Sequence, residues 1–113
     1  MNRPNAAVAE LKMLTDRFGN QARLAEVLDV DKSTITRWLK GEDMPDPANE
    51  EQIAALRYLA VRLFRLFRPE VAIDWLEGVN AFLRDQRPID LIRNGRVSEV
   101  LAAIEQTEAG SYA

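Results

Sequence analysis

Between Asn20 and Gly41 the chain reads NQARLAEVLDVDKSTITRWLKG, and no other stretch restricts the possible folds as tightly. Apolar residues recur at helical spacing on both sides of a tight turn. The pattern predicts one helix over Gln21–Leu28 and a second over Lys32–Lys40. Asn20 and Asp31 read as N-caps, because short polar side chains accept a hydrogen bond from first-turn N–H groups that have no helical partner. Leu24, Ala25, Leu28, Val30, Ile35 and Trp38 fall on the inner side. At Ala25 two steeply crossing helices leave room for a methyl and nothing longer. Ser33, Thr36, Arg37 and Lys40 follow at i, i+3, i+4 and i+7 and share the outer face. That face is short, polar and cationic, which suits base edges and phosphates in a major groove. The alternative is a small helical hairpin whose polar face is merely solvated.

These residues resemble the helix-turn-helix of Cro/Xre repressors. The match runs through Gln21, Leu24, Ala25, Val30, Ser33, Thr34, Ile35, Arg37 and Trp38. It departs at Asp29, where that family often has glycine, although Asp tolerates a left-handed turn better than most residues. The resemblance implies that Lys32–Lys40 is a recognition helix for operator DNA. Ser33, Thr34, Thr36 and Arg37 would approach bases, and Gln21, Lys32 and Lys40 would approach phosphates.

Composition narrows the chemistry. With 113 residues, the chain suffices for one domain or two small ones sharing a core. It contains no Cys and no His, which removes the commonest general base, the usual nucleophile pairings and the usual zinc ligands. We therefore expect no catalytic residue, no metal site, no cofactor and no enzymatic activity. No apolar run reaches the roughly 20 residues of a membrane helix, and MNRPNAAVAELK lacks the apolar core of a secretory signal. A cytoplasmic protein without Cys is the expectation. Residues 1–41 carry seven Lys/Arg against five Asp/Glu, while residues 42–113 carry eight against thirteen. Such asymmetry suggests two faces with different partners.

The fold class expected is all-α, in three segments. Residues 1–44 form the head, residues 45–68 a linker and central helix, and residues 69–113 a small helical module. A first helix over about Asn5–Phe18 carries Val8, Leu11, Leu14 and Phe18 as its buried stripe and stops at Gly19. Glu42–Asn49 reads as a linker around Pro45 and Pro47, after which Asn49 caps a helix of about Glu50–Phe67. Ile53, Leu56, Ala60, Leu63, Phe64 and Phe67 give that helix an apolar stripe which Leu59 and Leu66 widen. A helix so apolar must bury more than one side, and we expect a homodimer packed partly through it. Its arginines Arg57, Arg62, Arg65 and Arg68 read as solvated or paired. Pro69 opens the next helix, whose inner face is Ala72, Trp75, Leu76 and Val79. After a polar loop over Arg84–Arg87, Pro88 opens a short helix that ends at Asn94 and Gly95. The last helix runs over about Val97–Thr107, with Gly110 breaking it. No strand is expected.

Taken together, Trp75, Leu76, Asn80, Leu83, the run Arg87–Ile92, Gly95, Val100, Leu101, Ile104 and the ending Gly110–Ala113 resemble the toxin-binding domain of Xre/MbcA/ParS antitoxins. A Cro-like head is the usual companion of that domain. The departure lies at Arg84 and Asp85, where members often carry two glycines, and it leads us to expect a differently shaped loop. By this resemblance the partner is a cognate RES-domain toxin that consumes NAD⁺. The antitoxin blocks it by inserting a tail of small residues around one aromatic, and with it represses its own operon. Gly110, Ser111, Tyr112 and Ala113 would touch the toxin, joined by exposed groups of the last helix such as Arg96, Glu99 and Gln106. Tyr112 offers ring area and a hydroxyl, and the terminal carboxylate an anion. A frayed end is the ordinary reading of such a terminus. A stand-alone repressor whose acidic half only dimerises, and an adaptor with an inactive head, are the competing functions.

Overall fold

Leu11, Leu14 and Phe18 are all buried, and the helix they stripe, α1, spans Pro4–Phe18. It opens a computed structural model that describes the backbone of residues 4–110 and the side chains from Val8 onward. Among the described residues there are seven α-helices and a 3₁₀ turn at Ala81–Leu83. They are α1, α2 (Gln21–Leu28), α3 (Lys32–Lys40), α4 (Pro47–Leu66), α5 (Pro69–Glu77), α6 (Pro88–Arg93) and α7 (Val97–Gly110). The chain divides into two compact units, Met1–Arg57 and Tyr58–Ala113. α4 contributes its first half to one and its remainder to the other. None of the described helices is long and apolar enough to cross a membrane.

In the first unit α2 packs on α3, and α1 packs on both. Leu24, Ala25, Leu28, Ile35 and Trp38 are buried as their spacing requires, and Val27 joins them. Val8 and Val30 are only half-buried. Asn20 caps α2 by accepting from the Arg23 N–H at 2.8 Å. Asp31 does not cap α3 with its side chain, contrary to expectation. Its main-chain carbonyl accepts from Thr34 and Ile35, which leaves the carboxylate exposed. Asp29 occupies the left-handed region at φ 58°, ψ 48°, so the position where relatives favour glycine keeps its turn.

The linker is shorter than its prolines suggest. Pro47 lies inside α4 at its start, where a missing N–H breaks no helical bond. Asp46 takes the cap role that we expected of Asn49, accepting from the Asn49 N–H at 2.8 Å. Pro45 is buried.

In the second unit α5 packs on α6, α6 on α7, and α7 on the 3₁₀ turn. Leu76, Ile92, Val100 and Ile104 are at most 1% exposed. Trp75 is half-buried with its ring 6.4 Å from that of Phe67. Val79 is no core residue. It lies past the end of α5 and is 71% exposed. Gly78 is the C-cap of α5 with an extended backbone, and a Cβ there would sit 3.1 Å from the Asp74 carbonyl oxygen. Asn80 then starts a closed loop: its Oδ1 accepts from Phe82 N–H, and its main chain pairs with Gln86 and Asp85. Arg84 and Asp85 have φ of 59° and 61°. The backbone that two glycines adopt freely is thus kept here by two side-chain-bearing residues. Both residues lie in the left-handed region, which strains a residue that carries a side chain.

α7 runs three residues beyond the expected end at Thr107, with Gly110 its last residue. Along these last turns Arg62 of α4 donates to Glu108 at 2.8 Å and lies 3.5 Å from Glu105. Burying one Leu is worth about 1.5–3 kcal/mol, against roughly 0–1 kcal/mol for an exposed ion pair. The apolar core therefore holds each unit together, and the ion pairs trim the ends of its helices.

Candidate DNA-reading and partner-binding surfaces

Two surfaces carry the residues singled out from sequence. The first is the outer face of α3. Periodicity turns Ile35 and Trp38 inward, and this leaves Ser33, Arg37 and Lys40 exposed on the other side, with Lys32 exposed at the start. The C-terminal turn of α3 carries Arg37 and Lys40, which suits the negative end of the helix dipole. Arg37 Nη2 donates to Thr34 Oγ1 at 3.3 Å, and its Nε lies 3.9 Å from Asp43. Both members of that ion pair are about half-exposed. It is weak enough, at roughly 0–1 kcal/mol, for a base or phosphate to displace.

Gln21 and Thr36 are brought together in a way the spacing did not reveal. Thr36 Oγ1 donates to Gln21 Oε1 at 2.8 Å and lies 3.2 Å from the Lys32 carbonyl. Two residues expected to face DNA are thus bonded to each other across α2 and α3. No signal along the chain marked the pair, because it depends on how α2 and α3 meet.

The second surface belongs to the second unit. A groove of about 430 Å³ is lined by Phe82, Leu83, Arg84, Gln86, Arg96, Glu99 and Ala102. Arg96 and Glu99 form a two-pronged pair at 2.7 and 2.8 Å along its rim. This pairing holds the Glu99 carboxyl below its ordinary range and raises Arg96. The same device recurs at the start of α6, where Arg87 donates twice to Asp90 at 2.9 Å and pulls its carboxyl down. Phe82 is 52% exposed beside the groove, and sequence reasoning assigned it nothing. Gln106 and Gly110 are exposed on α7. Ser111, Tyr112 and Ala113 lie outside the described residues. Arg96, Glu99, Gln106 and Gly110 thus all lie in one unit, but only Arg96 and Glu99 share the groove.

Against known proteins, the helix-turn-helix family HTH_3 matches residues 19–56. The chain is 27% identical to the mycobacterial cidal antitoxin MbcA of Mycobacterium tuberculosis, over 96% of each chain. It is 31% identical to the probable mycobacterial cidal antitoxin Rv3188 of the same organism, over 84% of this chain and 82% of that one. Among solved structures, it superposes with a TM-score of 0.78 and 25% identity on a chain of the M. tuberculosis MbcT–MbcA toxin–antitoxin complex. That match covers 91% of this chain and 94% of the other.

Proposed function

The chain belongs to the family of mycobacterial cidal antitoxins, and from that premise we propose that it silences a cognate RES-domain toxin with the tail that follows α7. The observation that carries this reading is the end of α7. The helix stays wound to Gly110, and Ala109 and Gly110 are exposed, so the last described residues lie at the surface of the unit. A peptide of small residues with one aromatic can enter a cleft that a folded domain cannot. Tyr112 would fill such a cleft with its ring and satisfy a buried polar group with its hydroxyl. Arg96, Glu99 and Gln106 would steady the approach from the face of α7. The toxin's NAD⁺-consuming site is thereby closed, and the antitoxin supplies no chemistry of its own.

The head adds a second task in this reading. Ser33, Thr34 and Arg37 approach bases while Lys32 and Lys40 approach phosphates, so that the toxin–antitoxin pair represses its own operon. Thr36 and Gln21 hold the two helices at the reading angle. A homodimer formed partly through α4 would present two heads to a two-fold operator.

Removing Gly110–Ala113 tests the reading. We expect the shortened chain to lose protection of cells expressing the toxin while retaining its gel shift on operator DNA. Undiminished protection would sink the tail mechanism. A stand-alone repressor is the second reading, favoured by the exposed cationic face of α3; it predicts a gel shift and no effect of the chain on any RES-domain toxin.

A further inference from the structure

The last turns of α7 should not hold by themselves. Glu105 and Glu108 stand three apart near the helix C-terminus, where the dipole disfavours anions, and the final turn has no basic residue. Gly110 is a poor helix former. Yet the helix continues to Gly110. The missing cation comes from another element: Arg62 on α4, its side chain only 24% exposed, donates Nη2 to Glu108 at 2.8 Å. Its Nη1 lies 3.5 Å from Glu105, and its guanidinium carbon lies 6.0 Å from the Tyr58 ring centre. Thr107 adds a hydroxyl bond back to the Ala103 carbonyl at 2.9 Å.

We propose that Arg62 is a positioning residue for inhibition: by clamping Glu105 and Glu108 it keeps the end of α7 wound and sets the point and direction from which residues 111–113 reach the toxin. The proposal rests on the tail reading above. Its physical basis is preorganisation. A tail that leaves a fixed helix end loses less freedom on entering a cleft than one that leaves a frayed end. Glu108 is one half of the clamp, and Glu105 has its repulsion from Glu108 relieved by the shared guanidinium. The hydrogen bond from Arg62 to Glu108 also favours the charged guanidinium and raises its pKa.

The test uses the full chain and the RES-domain toxin encoded beside it, reading inhibition of NAD⁺ consumption together with amide exchange along α7. Arg62→Gln and Glu108→Gln should each raise the inhibition constant about two- to fivefold, the scale of a partly exposed ion pair. Exchange should quicken over residues 105–110 and nowhere else. Arg62→Lys should recover part of the loss, and the swap Arg62→Glu with Glu108→Arg should recover most of it. Unchanged inhibition by Arg62→Gln and Glu108→Gln overturns the clamp, as does faster exchange spread through the whole second unit. A chain ending at Gly110 separates the two ideas. If it inhibits normally, the tail reading has failed. If it does not inhibit while both Gln variants remain normal, only the clamp has failed.

Discussion

The two units treat their charges differently. In the head, Lys32, Lys40 and Arg37 stand exposed on one helix face, and the only acidic contact described for them is Arg37 to Asp43 at 3.9 Å. In the second unit, Arg62, Arg87 and Arg96 each make a short bond, 2.7–2.9 Å, to a carboxylate of the same unit. Beside those pairs the second unit also leaves large apolar groups exposed: Val79 and Phe82 are 71% and 52% exposed. A surface that keeps its cations exposed suits a polyanion, and one that neutralises its own charges suits a protein partner, whose interface core excludes unpaired charge.

The strongest way to break this contrast is to damage one core at a time. Ile35→Ala and Ile92→Ala each remove a fully buried side chain and should cost about 2–5 kcal/mol. In thermal unfolding with parallel gel shifts and toxin assays, Ile35→Ala should lose operator binding first and Ile92→Ala should lose inhibition first. If either variant loses both together, the contrast is wrong. Next in size, Arg37→Ala should weaken operator binding by roughly 1–3 kcal/mol if the side chain reads a base. It should leave inhibition unchanged, and an unaltered gel shift would remove Arg37 from the reading face.

Smaller effects sharpen the account of the second unit. Arg84→Gly places the residue suited to a φ of 59° where strain is now stored. It should raise stability by about 0.5–1 kcal/mol in urea unfolding. Asp90 titrates below its ordinary 3.8 because Arg87 bonds its charged form. Its contribution is therefore complete above that value and fades as pH falls through the lowered one. The pair is about 42% exposed, so Asp90→Asn should cost only about 0.2–1 kcal/mol at pH 7. The difference from the parent chain should vanish in strong acid.

Local rules explain where the sequence could be read. Leu24, Ala25 and Ile35 announce the head because helical periodicity and burial coincide there, and Asn20 is a cap by chemistry that acts within three residues. The left-handed Asp29 was legible for the same reason. Pro88 and Gly95 marked α6 correctly. Misplaced features depended on partners distant in sequence or on competing local ones. Asp46 outbid Asn49 as a cap because Pro47 could enter the helix. Val79 looked apolar and inward, yet α5 stops at Glu77 and releases it. The last turns of α7 bond to Arg62, which is separated from Glu108 by 46 residues, and no window along the chain could show that. Of the candidate site, the exposed face of α3 was visible from spacing, whereas Arg96 and Glu99 were named only as exposed groups and their pairing was not foreseen. The Gln21–Thr36 bond and the exposure of Phe82 were not visible, because both depend on how helices meet.

The most direct test of the division of labour is a crystal structure of this chain with its toxin. We predict Tyr112 inside the toxin's catalytic cleft, with its hydroxyl bonded to groups that otherwise hold NAD⁺, and the outer face of α3 uncovered by toxin. A complex with Tyr112 in open solvent, or with the toxin seated across Ser33, Arg37 and Lys40, would contradict it.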